Sequence, residues 1–314
     1  MTAPRSLIIG AGGQIGSELA AALAARDGHE SVVTADIVAP GPLATVAHER
    51  LDVTDAGALE SAVRRHRATH VYQLAAMLSA NGEREPIAAW NLNMVGLLNV
   101  LELARAGAIA RIFWPSSIAA FGPGTPREGT PQQAIMDPVT VYGISKLAGE
   151  RWCAWYHARF GVDVRSLRYP GLVSWRTPPG GGTTDYAIEI FHAALRAGRY
   201  TCFLDGEQAL PMMYMPDALR ATLELMQADA SCIGERGSYN LAGLSFTPRE
   251  LAAAIARRIP GFEMRCEPDF RQQIAEGWPR SIDDSVARRD WNWAPRFELD
   301  DMVEDMLANL RIAA

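Results

Sequence analysis

Tyr142 and Lys146 stand four residues apart in Val141-Tyr-Gly-Ile-Ser-Lys-Leu-Ala-Gly-Glu150. In a helix that spacing puts both side chains on one face. The lysine is conspicuous, because 29 of the 30 cationic residues are arginine and Lys146 is the one that is not. With eight tyrosines in the chain, chance rarely sets a lone lysine four residues after one of them. The pair suits proton transfer. A free phenol, with pKa about 10, is too weakly acidic to serve as a base near neutrality. A nearby ammonium favours the phenolate. Lysine brings a compact charge with rotatable donors on a flexible stem, whereas guanidinium is planar and wide.

Upstream, Trp114-Pro-Ser-Ser117-Ile-Ala-Ala-Phe-Gly122 puts two hydroxyls at a strand end. Ser117 there can exchange hydrogen bonds with a substrate oxygen at the carboxyl edge of the sheet, where open α/β sheets bind ligands. Two serines at a strand end are also ordinary turn chemistry, and the downstream Tyr142 and Lys146 tip the reading toward catalysis. Near the amino terminus, Gly10-Ala-Gly-Gly13-Gln14-Ile15-Gly16 follows an apolar run and opens into a helix. Glycines there let the backbone approach a pyrophosphate whose charge the helix terminus stabilises. Asp36, twenty residues past Gly16, ends the next apolar run. Its carboxylate can accept both ribose hydroxyls and repels a 2′-phosphate, and Ile37 and Val38 supply no arginine for one. This set selects NAD over NADP. Lys146 then has a second task, bonding the nicotinamide ribose. Asp52 and Val53 stand at the next expected strand end. They either border the adenine or belong to a turn in which Asp52 caps the following helix. The small end Leu74-Ala75-Ala76 lets backbone lie close to a bound ribose.

These residues need a frame of strands that bring them to one edge. Apolar runs at 6–10, 31–36, 69–75, 111–116 and 162–167 read as strands, separated by helical patterns at 14–26, 55–67, 87–106 and from 141 onward. Such alternation predicts an α/β fold, a Rossmann-type doubly wound parallel sheet covered on both faces. Past Pro170 the rhythm fades into the loop Thr177-Pro-Pro-Gly-Gly-Gly-Thr-Thr184, a helix at 185–197, and shorter elements. The expected division is an NAD-binding part at 1–175, rejoined by part of 209–242, and a smaller mixed α/β substrate lobe at 176–314.

The remaining composition bounds the function. A net charge of −6 offers no basic stripe for nucleic acid. Four widely spaced cysteines, Cys153, Cys202, Cys232 and Cys266, have neither disulfide-framework nor zinc spacing. No apolar run approaches the ~20 residues of a membrane span, and the first ten residues are too short for a signal segment. A reduced, cytoplasmic protein is expected. His66 and His70, four apart, straddle a helix end and a strand start and are expected to be solvated, leaving no metal site.

The glycine pattern, the strand-end serine and Tyr-x-x-x-Lys together resemble the extended short-chain dehydrogenase/reductases over about the first 175 residues. By that resemblance Ser117, Tyr142 and Lys146 take the catalytic places, and Asn93 matches an asparagine that orders the site. The run Arg168-Tyr-Pro-Gly171 looks like the loop beside the nicotinamide, which places Tyr169, Pro170 and Leu172 near the cofactor. Further blocks in both parts resemble the NAD-dependent L-threonine 3-dehydrogenases of this family: Leu78-Ser-Ala-Asn-Gly-Glu83, Asn93–Leu103, Gly180–Ala187 and Met212-Met-Tyr-Met-Pro-Asp217. The resemblance implies oxidation of the threonine C3 hydroxyl to 2-amino-3-oxobutanoate. It puts Ser79, Gly182, Thr183, Thr184 and Trp278 on the amino acid. Read from residues alone, the loop at 177–184 either offers N–H groups, hydroxyls and Asp185 to a zwitterion, or is slack before a helix capped by Thr184 or Asp185.

Two rival readings share the cofactor. A nucleotide-sugar epimerase or dehydratase needs a second lobe large enough for a nucleotide diphosphate, with several basic contacts; the lobe here is short, and Ile118-Ala119 after Ser117 lacks the acids of a dehydratase. A non-catalytic NAD sensor has no need of a proton-transfer pair. In extended relatives the helices near 87–106 and 141–160 often form a homodimer interface, to which Leu97, Leu98, Leu101, Trp152, Trp155 and Tyr156 are candidates; packing on the parent sheet explains many of the same positions.

Overall fold

A computed structural model describes residues 4–39, 46–178, 180 and 182–313. Its first half alternates strand and helix: β1 (Ser6–Ile9), α1 (Gln14–Asp27), β2 (Val32–Asp36), β3 (Ala47–Arg50), α2 (Ala56–His66), β4 (His70–Gln73), α3 (Ser79–Arg84), α4 (Pro86–Arg105), β5 (Arg111–Phe113), β6 (Ser116–Ser117) and α5 (Val141–Phe160). The chain continues as β7 (Val164–Arg165), β8 (Leu167–Tyr169), β9 (Gly171–Val173), α6 (Tyr186–Ala197), β10 (Arg199–Cys202), β11 (Leu210–Tyr214), α7 (Met215–Gln227), β12 (Tyr239–Asn240), β13 (Leu244–Phe246), α8 (Pro248–Ala256), β14 (Glu263–Cys266), α9 (Arg271–Glu276), α10 (Ser285–Trp291) and α11 (Leu299–Ala313).

The central sheet has the order β3-β2-β1-β4-β5-β7 and every pairing in it is parallel. Parallel strands need crossovers, and the helices supply them on both faces. Consecutive residues of β1 serve opposite cores. Leu7 and Ile9 join Leu59, Val63, Leu97, Leu101 and Cys153 from α2, α4 and α5. Ile8 joins Leu19 and Leu23 of α1 and Ala221 and Leu225 of α7. This is the doubly wound architecture expected from the sequence. A third core gathers α6, α8, α11 and β11 around Phe191, Tyr214 and Met306.

Two runs divide differently from the sequence reading, and two short elements are added. The run at 111–116 divides at Trp114-Pro115, where proline has no N–H for a ladder. β6 then leaves the central sheet and pairs with β8, itself beside β12. The run at 162–167 likewise splits, β7 staying in the central sheet. β3 supplies the strand expected to end before Asp52, though no apolar run marks it, and α3 arises where the sequence showed no pattern.

Charged residues lock the later segments onto this frame. Arg165 is wholly buried and donates from Nη1 to the carbonyls of Leu225 and Ala228 at 2.6 and 2.7 Å, satisfying the carboxyl end of α7. Asp163 resists burial, which raises its pKa, because Arg165 and Arg111 hold its carboxyl down at about 2. The two histidines are not simply solvated. His66 Nε2 lies 2.5 Å from Glu49 Oε2, and burial lowers the pKa of His70. No cluster of three metal-binding side chains occurs among the described residues.

Helix α4 has the length and mean hydropathy, 1.3, of a membrane span. Its apolar face is taken by the protein itself: Leu97, Val100 and Leu101 are fully buried in the core beneath α5. Leu97 and Leu101 therefore pack on the parent sheet and are not available to a second copy. Tyr156 is also buried, whereas Trp152 and Trp155 are 39% and 48% exposed.

A second lock joins α5 to β6 and β8. Glu150 Oε1 accepts from Ser116 Oγ at 2.6 Å and from Arg168 Nε at 2.9 Å, while Oε2 accepts from Arg168 Nη2 at 2.8 Å. Arg168 also donates to Gln132 O and Asn240 Oδ1, both at 2.9 Å. Removing one partner strands the buried carboxylate, so Arg168→Met should lower unfolding free energy by about 3–5 kcal/mol. Urea unfolding measures this, and a loss below about 1 kcal/mol contradicts the assignment.

Candidate active site

The glycine turn sits between β1 and α1 at the carboxyl edge of the central sheet. Gly10 has φ +80°, and a Cβ there would lie 2.4 Å from Ala75 N; at Gly16 it would lie 2.4 Å from Gly10 O. Only glycine allows this packing. Gly13 caps α1 without a side-chain bond, so the first N–H groups of the helix point outward. Gly12 N donates to Asp36 Oδ2 at 2.9 Å, and Val38 N donates to Oδ1 at 3.2 Å. The acid at the end of β2 is thereby fixed beside the turn.

Helix α5 carries the catalytic candidates. Thr140 caps it by accepting from Gly143 N at 3.1 Å, and Gly161 ends it with φ 71°. Tyr142 and Lys146 share one face. Ser117, at the end of β6, lines the same cleft as Tyr142, and its hydroxyl acts to lower the phenol's pKa. Ser117 Oγ also accepts from Ala119 N at 3.1 Å, which fixes its rotamer. Lys146 is buried; its Nζ donates to Pro115 O at 2.7 Å and lies 5.4 Å from the centre of the Tyr142 ring. Burial pushes the Tyr142 phenol up to about 12 and the Lys146 ammonium down to about 7. Burial thus opposes the charged form of both groups.

One cleft gathers most of the residues singled out in the sequence. Gly10, Gly13, Gln14, Ile15 and Gly16 line one end, with Leu74 and Ala76 beside them. Ser79, Ser117, Tyr142 and Lys146 line the middle, and Tyr169, Pro170, Leu172, Gly182, Thr183, Thr184 and Trp278 close around them. Leu78, Pro115, Ser116, Ile118, Gly171 and Asp185 also line it. Most of these extra residues are neighbours of residues already named, brought in as the backbone turns; none carries a motif of its own. Asp185 accepts from Gly182 N at 2.8 Å and so shapes the loop before α6. Pro179 and Gly181 of that loop lie outside the described residues.

Five candidates do not line this cleft. Asn93 accepts from Met77 N at 2.8 Å and donates to Ser145 Oγ at 3.0 Å, tying the segment after β4 to α5. Ser145 Oγ in turn donates to Tyr142 O at 2.7 Å. Asp52 accepts from Thr54 N and Oγ1 at 2.9 and 2.7 Å, and these bonds lower its pKa. It forms a turn and does not cap α2; Asp55 does, accepting from Ala58 N at 2.9 Å. Val53 is buried against Gly96, Ala75 supports Gly10 from below, and Asp36 holds Gly12.

The donor set fits a dinucleotide. Gln14 Nε2, at the glycine turn, and Thr183 Oγ1, on the loop before α6, are buried without a partner among the described residues. Such donors call for acceptors from outside it. An exposed helix terminus, an acid suited to a ribose diol and a lysine beside a tyrosine complete the set.

Comparison with known proteins agrees with this geometry. An uncharacterized epimerase/dehydratase of Staphylococcus haemolyticus is 45% identical over 307 residues, 96% of each chain. The holo form of a GalE-like L-threonine dehydrogenase from Cupriavidus necator superposes with a TM-score of 0.96 at 64% identity, covering 98% of this chain and 100% of that one. A monomeric L-threonine 3-dehydrogenase from a metagenome, in its apo form, matches with a TM-score of 0.95 at 44% identity, covering 98% and 99%. The model of the NAD dependent epimerase/dehydratase family matches residues 6–242, and the chain belongs to that family.

Proposed function

We propose that this protein is an NAD-dependent L-threonine 3-dehydrogenase, a cytoplasmic enzyme of threonine breakdown. The observation that carries the chemistry is the gathering of Ser117, Tyr142 and buried Lys146, its Nζ 5.4 Å from the Tyr142 ring, in the cleft that also holds the glycine turn. The choice of substrate is supported by likeness along the whole chain to proteins described as L-threonine dehydrogenases. In this reading residues 1–175, with part of 209–242, hold the cofactor, and the rest of 176–314 shapes the amino-acid end.

Gly10, Gly13, Gln14, Ile15 and Gly16 hold the pyrophosphate, Asp36 the adenosine ribose, and Leu74, Ala76, Tyr169, Pro170 and Leu172 the nicotinamide half. Val53, Ala75 and Asn93 support that surface from behind, and Asp52 holds the turn that follows β3. Bound NAD supplies the hydride acceptor and a positive charge beside the tyrosine, so that loss of hydride and proton turns the C3 alcohol into the ketone of 2-amino-3-oxobutanoate. Ser117 Oγ holds the C3 oxygen. Tyr142 Oη accepts the proton of the C3 hydroxyl. Lys146 holds the nicotinamide ribose, and its ammonium lowers the phenol's pKa. Ser79, Gly182, Thr183, Thr184 and Trp278 surround the amino-acid end and exclude water from it.

The test follows NADH absorbance with purified protein, NAD and L-threonine at alkaline pH, beside serine and UDP-sugars. Threonine-dependent reduction is expected, and its absence overturns the reading. Tyr142→Phe should lower kcat by about 10²–10⁴-fold, the usual contribution of a positioned base, with NAD binding retained. Activity within about tenfold of wild type refutes Tyr142 as the base.

We also propose a homodimer built on α4 and α5. Trp152, Trp155 and Phe160 form an exposed aromatic strip, with Trp155 edge-on to both Trp152 and Phe160 at 5.7 and 5.2 Å. Trp90, Val95 and Ile144 are exposed on the same helix pair. Contiguous apolar surface of this kind marks an interaction face. Light scattering should give the mass of two chains, and Trp155→Glu should reduce it to one; a wild-type mass of one chain refutes the dimer.

A further inference from the structure

We propose that the Trp114 indole is a positioning residue for Lys146, a shelf that fixes the ammonium beneath Tyr142 and keeps it charged. Trp114 follows β5 and is buried, its backbone N donating to Arg165 O at 3.0 Å. The ring is held in the core between α4 and α5 with Leu97 and Cys153. Lys146 Nζ lies 4.5 Å from its centre. A desolvated cation over an indole face is stabilised by the ring quadrupole, and tryptophan is the best of the aromatic residues at this.

Helix α5 is built to admit that ring. Gly149, one turn past Lys146, has no Cβ; one added there would lie 2.4 Å from Trp114 Cη2 and 2.5 Å from Cζ2. The helix thus accepts a glycine in its interior, at a cost in stability of about 1 kcal/mol against alanine, and in return the indole reaches the lysine. Pro115 completes the seat, because its carbonyl takes one ammonium proton at 2.7 Å. That leaves two N–H bonds for a ribose, and the indole closes the side opposite to it.

Few other groups act on this ammonium. Tyr142, Glu150 and Cys153 face it from its own helix. Glu150 favours the charged form but is committed to Ser116 and Arg168, and Cys153 is a buried thiol whose pKa burial pushes up. From the other elements, Arg168 of β8 reaches the lysine only through Glu150, and Glu83 of α3 accepts from Val141 N at the start of the helix. From β5 and β6 the contacts are Trp114 and Pro115, neither of which titrates. Burial favours neutral lysine, so the indole is what opposes it on that side.

The inference rests on the dehydrogenase reading, in which charged Lys146 lowers the pKa of Tyr142. The sequence supplies the probe. Lys146 is the one lysine of the chain, so expression of the full-length protein with ¹³Cε-lysine and a lysine-free tag gives one resonance. In wild type its Hε protons should lie upfield of ordinary lysine positions, under the ring current of Trp114. Trp114→Leu should abolish that displacement and lower the lysine titration midpoint by about one unit, while Trp114→Phe keeps at least about half of both effects. With less charge on the lysine, the limb of the kcat profile that rises with pH should move to higher pH in Trp114→Leu, with Trp114→Phe between. A simple packing role would lower stability without moving either midpoint. An ordinary lysine shift in wild type, or a Trp114→Leu midpoint within about 0.2 unit of wild type, overturns the proposal. If Trp114→Leu does not fold, the wild-type shift and the Trp114→Phe titration decide it. Absence of threonine-dependent NADH formation by wild type defeats the dehydrogenase reading instead, and the lysine titration still decides whether the shelf exists.

Discussion

The buried carboxylate of Glu150 sets the position of the catalytic helix. Tyr142, Lys146 and Glu150 recur every four residues along one face of α5, so fixing the last fixes the other two. Glu150 is bound from two sides, by Ser116 at the end of β6 and by Arg168 of β8. Ser116 is the neighbour of Ser117. The same contact that anchors the helix therefore sets the distance between the serine proposed to orient a hydroxyl and the tyrosine proposed to remove its proton. A charge pair of this kind is weak evidence of net stability, since both ions lose their water. Its value here lies in register, because any slide of α5 strands a carboxylate in the core.

Around that anchor, the layers divide the work. The central sheet and α1 present backbone N–H groups and Asp36 for a charged cofactor. Helix α5 presents groups whose protonation must change. Burial alone favours a neutral phenol and a neutral amine. Trp114 belongs to this balance: it lets the lysine stay charged in a place that otherwise discourages charge.

Most of this site was legible in the sequence because its parts are local. The glycine turn lies within seven residues, Tyr142 and Lys146 within five, and Ser117 beside a strand end. The doubly wound sheet was legible for a similar reason, since buried parallel strands are unbroken apolar runs. What stayed hidden had no local signature. β3 is the edge strand Ala47–Arg50, largely polar and exposed, so it lacks the pattern of a buried strand. α3 spans six residues with Gly82 inside it, too few for a period. Arg168 meets Glu150 across 18 positions, and Trp114 meets Lys146 across 32, distances over which only the folded chain decides neighbours. At Leu97 and Leu101 the sequence left two readings open, because an apolar stripe cannot say whether it faces its own sheet or a second copy; both leucines are buried in the protein's own core.

The claim on which the rest turns is that position 146 needs lysine and not merely a positive charge. The Pro115 carbonyl and the indole face hold a compact ammonium, and a guanidinium is too wide to bond both the carbonyl and a ribose from the same seat. Lys146→Arg keeps the charge and changes the shape, so it tests the claim directly. At saturating NAD and threonine, kcat of the arginine variant should fall by at least about tenfold while the fold and its melting temperature are kept. A kcat within about twofold of wild type would contradict the account and reduce the lone lysine to an accident of composition.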